Sequence, residues 1–109
     1  MTGVRACGWG ELDDRAARRV IVGGRPVALV RLGNRVHAID DTCSHAEVSL
    51  AEGEVDAEEC TLECWKHGSL FDLETGAALP LPALKPIAVH SVVVNGDDVL
   101  VELVPELGQ

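Results

Sequence analysis

The sequence predicts an all-β domain: antiparallel strands packed on strands, carrying a long insert between them. Three observations predict it. Short β-branched runs alternate with glycine-containing turns near both ends of the chain. Aromatic residues make up only 3% of a chain that is 47% apolar, so Val, Ile, Leu and Ala must fill the core, which favours packed strands. Between the two strand-rich regions lies a long section, residues 40–86, rich in Cys, His, Gly, Pro and acids and weak in either periodicity. The 109 residues suffice for one domain with one core. The expected organisation is a single domain over 1–109, with 1–39 and 87–109 as β scaffold and 40–86 as insert.

The elements follow in chain order. Gly10 to Arg18, "GELDDRAAR", holds the only helical signal, a turn or two. Arg18 to Asp40, "RRVIVGGRPVALVRLGNRVHAID", reads as three strands broken at Gly23-Gly24 and Gly33-Asn34. Both breaks suit tight hairpins, because glycine and asparagine tolerate positive φ. Within the insert, "TLEC" (Thr61 to Cys64) and "SLFDL" (Ser69 to Leu73) are the plausible strand pieces. In a strand, Cys60 would share the inward face of Leu62 and Cys64, a buried free thiol, while Thr61 and Glu63 would face out. Ile87 to Val104 gives two more strands around Asn95-Gly96, with Val99, Val101 and Leu103 alternating toward one buried face. His37 and His90 fall inside strand patterns without cysteine neighbours and read as surface or partly buried strand residues; Cys7 reads as a packed thiol.

Charge excludes some functions. Residues 1–36 hold all seven arginines against Glu11, Asp13 and Asp14, a balance of +4. Residues 37–109 hold fifteen carboxylates against Lys66 and Lys85, a balance of −13. That second part would repel nucleic acid and attract a basic protein partner. No apolar run approaches the about 18 residues of a membrane span, and the N-terminus lacks the layout of an export signal. The expectation is a cytoplasmic, monomeric protein with no nucleic-acid or membrane partner. Four cysteines in a reducing compartment are ligands or buried thiols more readily than disulfides.

Two motifs flank the insert: "CSH", with Cys43 and His45, and "CWKH", with Cys64 and His67, eighteen residues lying between His45 and Cys64. Each supplies one thiolate and one imidazole, unlike the paired cysteines and paired histidines of a zinc finger. Two loops pinching together would place two thiolates on one side and two imidazoles on the other. That set suits a two-iron centre with Cys₂ on one iron and His₂ on the other; a structural zinc site uses the same donors. C-x-H…C-x₂-H-G followed by a Gly/Pro-rich loop resembles the small Rieske-type [2Fe–2S] ferredoxins, from about Val4 to Leu103. "CSHAEVSLAEGEVD" and "ECWKHGSLFDLETG" are most similar to the actinobacterial ferredoxin components of non-haem iron oxygenases.

The resemblance implies the Rieske fold, an antiparallel β-sandwich or partly open barrel with a small cluster-binding β/loop subdomain. It implies that Cys43 and Cys64 bind the inner iron and His45 and His67 the outer one, and that "ALPLPALKP" (Ala78 to Pro86) covers the cluster, Leu79, Leu81 and Trp65 excluding water. The implied function is one-electron transfer, with no catalytic residues, from a flavin-containing reductase to a terminal oxygenase. Other readings with the same motif are a redox or delivery role in iron–sulfur cluster assembly, the small subunit of a nitrite reductase, or a zinc-stabilised binding module. Respiratory-chain Rieske proteins add a disulfide between the ligand loops, which this chain, with Val48 at the first-loop position, cannot form. They also place a serine and a tyrosine near cluster sulfur; here Ser69 matches the serine, and Phe71 replaces the tyrosine. Losing a hydrogen bond to sulfur lowers the potential, as do the seven carboxylates of residues 46–63. The expected midpoint therefore lies at the low end of the Rieske range of about −150 to +300 mV. A redox titration checks it, and a value above roughly +150 mV, within that range, would exclude it.

Overall fold

A computed structural model describes residues 3–42, 48–66, 68–79 and 87–104. Among these residues the regular structure is nearly all strand. The chain opens with β1 (Val4–Gly8) and a 3₁₀ turn at Trp9–Glu11, then β2 (Ala16–Val22), β3 (Arg25–Leu32) and β4 (Arg35–Asp40). A second 3₁₀ turn, Leu50–Glu52, precedes four short strands: β5 (Val55–Asp56), β6 (Thr61–Glu63), β7 (Leu70–Asp72) and β8 (Ala78–Leu79). The hairpin of β9 (Val89–Asn95) and β10 (Asp98–Glu102) completes it.

The strands form two antiparallel sheets. The larger has the order β1-β10-β9-β4-β3-β2, and its edge strands β1 and β2 approach each other, so it nearly closes on itself. The smaller has the order β5-β6-β7-β8. The hairpin turns follow from the sequence with one shift. Gly23 and Gly24 both take positive φ, as a two-residue type I′ turn requires, between the paired residues Val22 and Arg25. At the C-terminal hairpin Asn95 is still a strand residue, paired with Asp98, so the turn is Gly96-Asp97 with only Gly96 at positive φ. The expected helical turns at Gly10–Arg18 shrink to the single 3₁₀ turn, because Ala16 and Ala17 pair with Arg31 and Val30 as the start of β2. β1 was not expected as a strand; Val4, Arg5, Cys7 and Gly8 pair with β10 across a bulge.

Two buried clusters lie on either side of β3. Val27 and Leu29 point into one, with Cys7, Leu12, Val22, Ala38, Val99 and Val101, inside the curl of the large sheet. Ala28 and Val30 point into the other, with Ile39, Leu50, Leu62, Phe71, Leu73 and Ile87, where the small sheet packs against the large one. Strand alternation explains the partition, and burial on both faces explains why "VALV" is continuously apolar. Cys7 is a packed thiol in the first cluster. Thr61, expected to face out, is buried.

His90 departs from expectation: its side chain is completely buried. Its Nδ1 accepts from the Val104 N–H at 3.1 Å, so Nε2 carries the proton and donates to Asp40 Oδ1 at 2.8 Å. Arg25 closes the group, its Nε and Nη2 donating to the two Asp40 oxygens at 3.0 and 3.1 Å and its Nη1 to the Val104 carbonyl. Burial works to raise the Asp40 pKa, but the hydrogen bonds from His90 and Arg25 outweigh it and hold the carboxyl below the ordinary range. This network ties β3, β4 and β9 to the chain just beyond β10.

Two outcomes follow for stability. A carboxyl whose folded pKa lies below its unfolded value of about 3.9 stabilises the fold above that value and loses the contribution as pH falls through the folded one. Asp40→Asn should cost about 1–3 kcal/mol at neutral pH, with the gap to wild type closing below about pH 4, read by urea unfolding across pH. Gly53 is the tightest backbone approach: a Cβ there would sit 1.7 Å from the Glu63 carbonyl oxygen. Gly53→Ala should therefore cost about 1–3 kcal/mol or more by overpacking. Gly24→Ala, facing open space at φ +81, should cost only the left-handed strain of about 1 kcal/mol in the same assay.

Candidate metal centre

Of the four proposed ligands the described residues include Cys64; Cys43, His45 and His67 lie outside them. So does the proposed cover from Pro80 to Pro86. No three His, Cys, Asp or Glu side chains converge as a metal site among the described residues. What is visible is how the chain builds the base of each ligand loop.

The second loop springs from the β6–β7 hairpin. Thr61 pairs with Asp72, Leu62 with Phe71 and Glu63 with Leu70, so Cys64 leaves the last rung of a regular ladder. Its N–H donates to the Ser69 carbonyl at 2.7 Å, and its own carbonyl accepts from the Gly68 N–H at 2.8 Å. Gly68 has φ +75, the left-handed conformation that lets the chain double back. Both backbone groups of Cys64 are thus spent on the turn. Its side chain follows Leu62 by two, so the thiol enters the cluster with Leu62, Phe71 and Ile39 and is wholly buried. A soft donor removed from water by an apolar wall is the environment an iron–sulfur cluster takes from a protein. Among the described residues, Cys64 and its apolar surroundings fit the implied group.

The first loop is closed at its neck by a residue that sequence reasoning passed over. Thr42 and Ser49 form an antiparallel bridge on either side of residues 43–47. Asp41, immediately before, is 1% exposed and uses both carboxylate oxygens. Oδ1 accepts from Ser49 Oγ at 2.9 Å and from the Ala51 N–H at 3.0 Å, and Oδ2 accepts from Arg19 Nε at 3.0 Å. Its carbonyl accepts from the Leu50 N–H at 2.6 Å. One buried carboxylate therefore holds together the chain on the two sides of residues 43–47. The only sequence signal for it was its place between strand β4 and the CSH motif.

Trp65 does not take the expected water-excluding position; it is 53% exposed. Alternation after the inward Cys64 turns it outward, leaving a large ring on the surface beside the buried thiol. Cys60 differs too. It precedes β6 at φ +57 and is only partly buried, against the expectation of an inward strand thiol. Its Sγ lies 3.8 Å from Nε2 of His37. Burial raises the Cys60 pKa and lowers that of His37, so the pair stays thiol and neutral imidazole, the opposite of what a nucleophile needs.

The chain matches the Rieske [2Fe-2S] domain over residues 3–96. It is 35% identical over 103 residues to the 3-phenylpropionate/cinnamic acid dioxygenase ferredoxin subunit of Escherichia coli (strain K12), covering 94% of this chain and 95% of that one. Its structure superposes on the ferredoxin of carbazole 1,9a-dioxygenase from Nocardioides aromaticivorans IC177 with a TM-score of 0.87 and 39% identity, over 93% and 97% of the two chains. A chain in the complex of reduced oxygenase and oxidized ferredoxin in carbazole 1,9a-dioxygenase gives 0.78 and 33%, over 90% of each. A thiol sunk at the turn of a small antiparallel sheet, together with these likenesses across nearly the whole length, leads to one conclusion: the chain belongs to the Rieske [2Fe-2S] domain family, as a ferredoxin with one Rieske-type cluster that carries electrons within an oxidoreductase system.

Proposed function

We propose that Cys43 and Cys64 hold the inner iron of the cluster and His45 and His67 the outer one. The protein passes single electrons from a flavin-containing reductase to a terminal oxygenase of the ring-hydroxylating type. When bound, the cluster supplies one-electron chemistry; the chain's own part is to hold the cluster, shield its thiolate side and present its imidazole side to a partner. The observation that carries the reading is the wholly buried Cys64 thiol at a turn whose backbone is fully hydrogen-bonded. The oxygenase as acceptor is supported by the solved complex of oxygenase and ferredoxin in carbazole 1,9a-dioxygenase, whose ferredoxin this chain resembles.

Residues 1–109 form one domain in this reading, with 40–86 as its cluster-binding insert. The protein acts as a cytoplasmic monomer; no helix among the described residues is long and apolar enough to cross a membrane. The acidic insert steers a basic partner surface toward the cluster end, where charge complementarity raises the rate of encounter.

The purified protein should be coloured and give a rhombic electron-paramagnetic signal once reduced. Cys64→Ala should abolish both, whereas Cys60→Ala should leave both intact. The reduced wild type, mixed with a ring-hydroxylating terminal oxygenase, should be reoxidised at a rate that falls with added salt. A colourless wild type holding zinc would remove the cluster assignment, and a coloured Cys64→Ala would remove this ligand.

A further inference from the structure

The outer face of the small sheet carries a cleft of about 360 Å³ that no part of the electron-carrier mechanism uses. Its floor is Thr61. Strand pairing places Asp56, Thr61 and Asp72 on one face and, two residues on, Glu63 and Leu70 on that same face, opposite Leu62, Phe71 and Cys64. Glu54, Asp56, Glu58 and Glu63 line the cleft with one basic residue, Arg15. None of the five forms an ion pair among the described residues, and the lining leaves three net negative charges.

An acidic lining by itself is a solvated surface. The hydroxyl beneath it is different. Thr61 is 4% exposed, and its Oγ1 is buried with no hydrogen-bond partner among the described residues. A buried polar atom left unpaired costs about 1–3 kcal/mol, and native structures keep few of them. Thr61 belongs to the lining of the acidic cleft on its own face of the sheet, and a donor seated there would pair its hydroxyl.

We propose that this cleft seats the side chain of a lysine presented by a protein partner. The ammonium has three donors and no acceptor, matching a hydroxyl oxygen and two carboxylates. Leu70, also in the lining and on the Thr61 face, offers apolar surface to its methylene stem. A divalent metal fits less well: it needs a tight oxygen shell at about 2.0–2.6 Å, whereas this cleft is many times the volume of one water and has a guanidinium on its wall. The seat rests on the carrier reading above, since a carrier must dock its donor and acceptor, and it lies on the opposite face of the small sheet from the Cys64 thiol.

The test titrates oxidised holoprotein with the peptide acetyl-Gly-Lys-Gly-amide, and with its norleucine counterpart, following backbone amide shifts. The lysine peptide should shift Val55 to Thr61 saturably and the norleucine peptide should not. Thr61→Val should weaken binding severalfold without lowering the unfolding midpoint, because it removes an unpaired hydroxyl and keeps the shape. Arg15→Ala should tighten binding, and Glu102→Gln, remote on β10, should leave it unchanged. Shifts spread evenly over the exposed carboxylates, an unaltered affinity in Thr61→Val, or the same resonances moving at lower concentrations of calcium chloride would each overturn the seat. Loss of peptide binding with intact colour and electron transfer would sink this seat alone. Peptide binding that persists where no electron reaches an oxygenase would support the seat and overturn the carrier reading.

Discussion

The structure depends on β3 being buried on both faces. Val27 to Val30 are all fully buried, and alternate residues serve different cores. One face closes the large sheet on itself; the other is the platform on which the small sheet, with Cys64, is packed. At about 25 cal/mol per Å² of apolar surface, four completely buried side chains contribute several kcal/mol. More consequential is what they couple. The small sheet has strands of only two or three residues, too short to stand alone, and it borrows its hydrophobic floor from the large one.

Polar interactions then set positions that apolar packing leaves loose. Asp40 and Asp41 are adjacent and point to opposite tasks, as alternation along a strand end requires. Asp40, with Arg25 and His90, locks β4 to β3 and β9. Asp41, with Arg19, Ser49 and the Ala51 amide, clamps together the two flanks of residues 43–47. Each offsets the desolvation of a carboxylate, half-buried in Asp40 and buried in Asp41, by giving it charged or amide donors. The clamp anchors the chain on both sides of residues 43–47 to one side chain.

Charge divides the molecule by function. Arginines of the scaffold are largely spent on internal pairs: Arg5 with Asp98, Arg18 with Glu11, Arg19 with Asp41 and Arg25 with Asp40. The carboxylates of the insert, Glu54, Asp56, Glu58 and Glu63, have no such partners among the described residues. The excess negative charge among the described residues is therefore displayed by the segment that carries the small sheet.

The sequence by itself determined the class of fold and the chemistry. Glycine pairs and β-branched runs located the large-sheet hairpins, because turn geometry and strand period are local properties. The donor types and spacing of Cys43, His45, Cys64 and His67 named the family, because ligand softness is a property of the residue. Tertiary structure alone decided which side of a strand meets which neighbour. Thr61 and His90 were read as exposed or partly so, but one lies beneath a cleft and the other is sealed between Asp40 and the Val104 amide. Asp41 looked like one more acid in an acidic chain until Arg19, Ser49 and Ala51 met it in space. Edge strand β1, with alternation broken by its bulge, had no local signature and exists because β10 offers it a ladder. Burial and pairing depend on partners distant in sequence, and no local pattern encodes them.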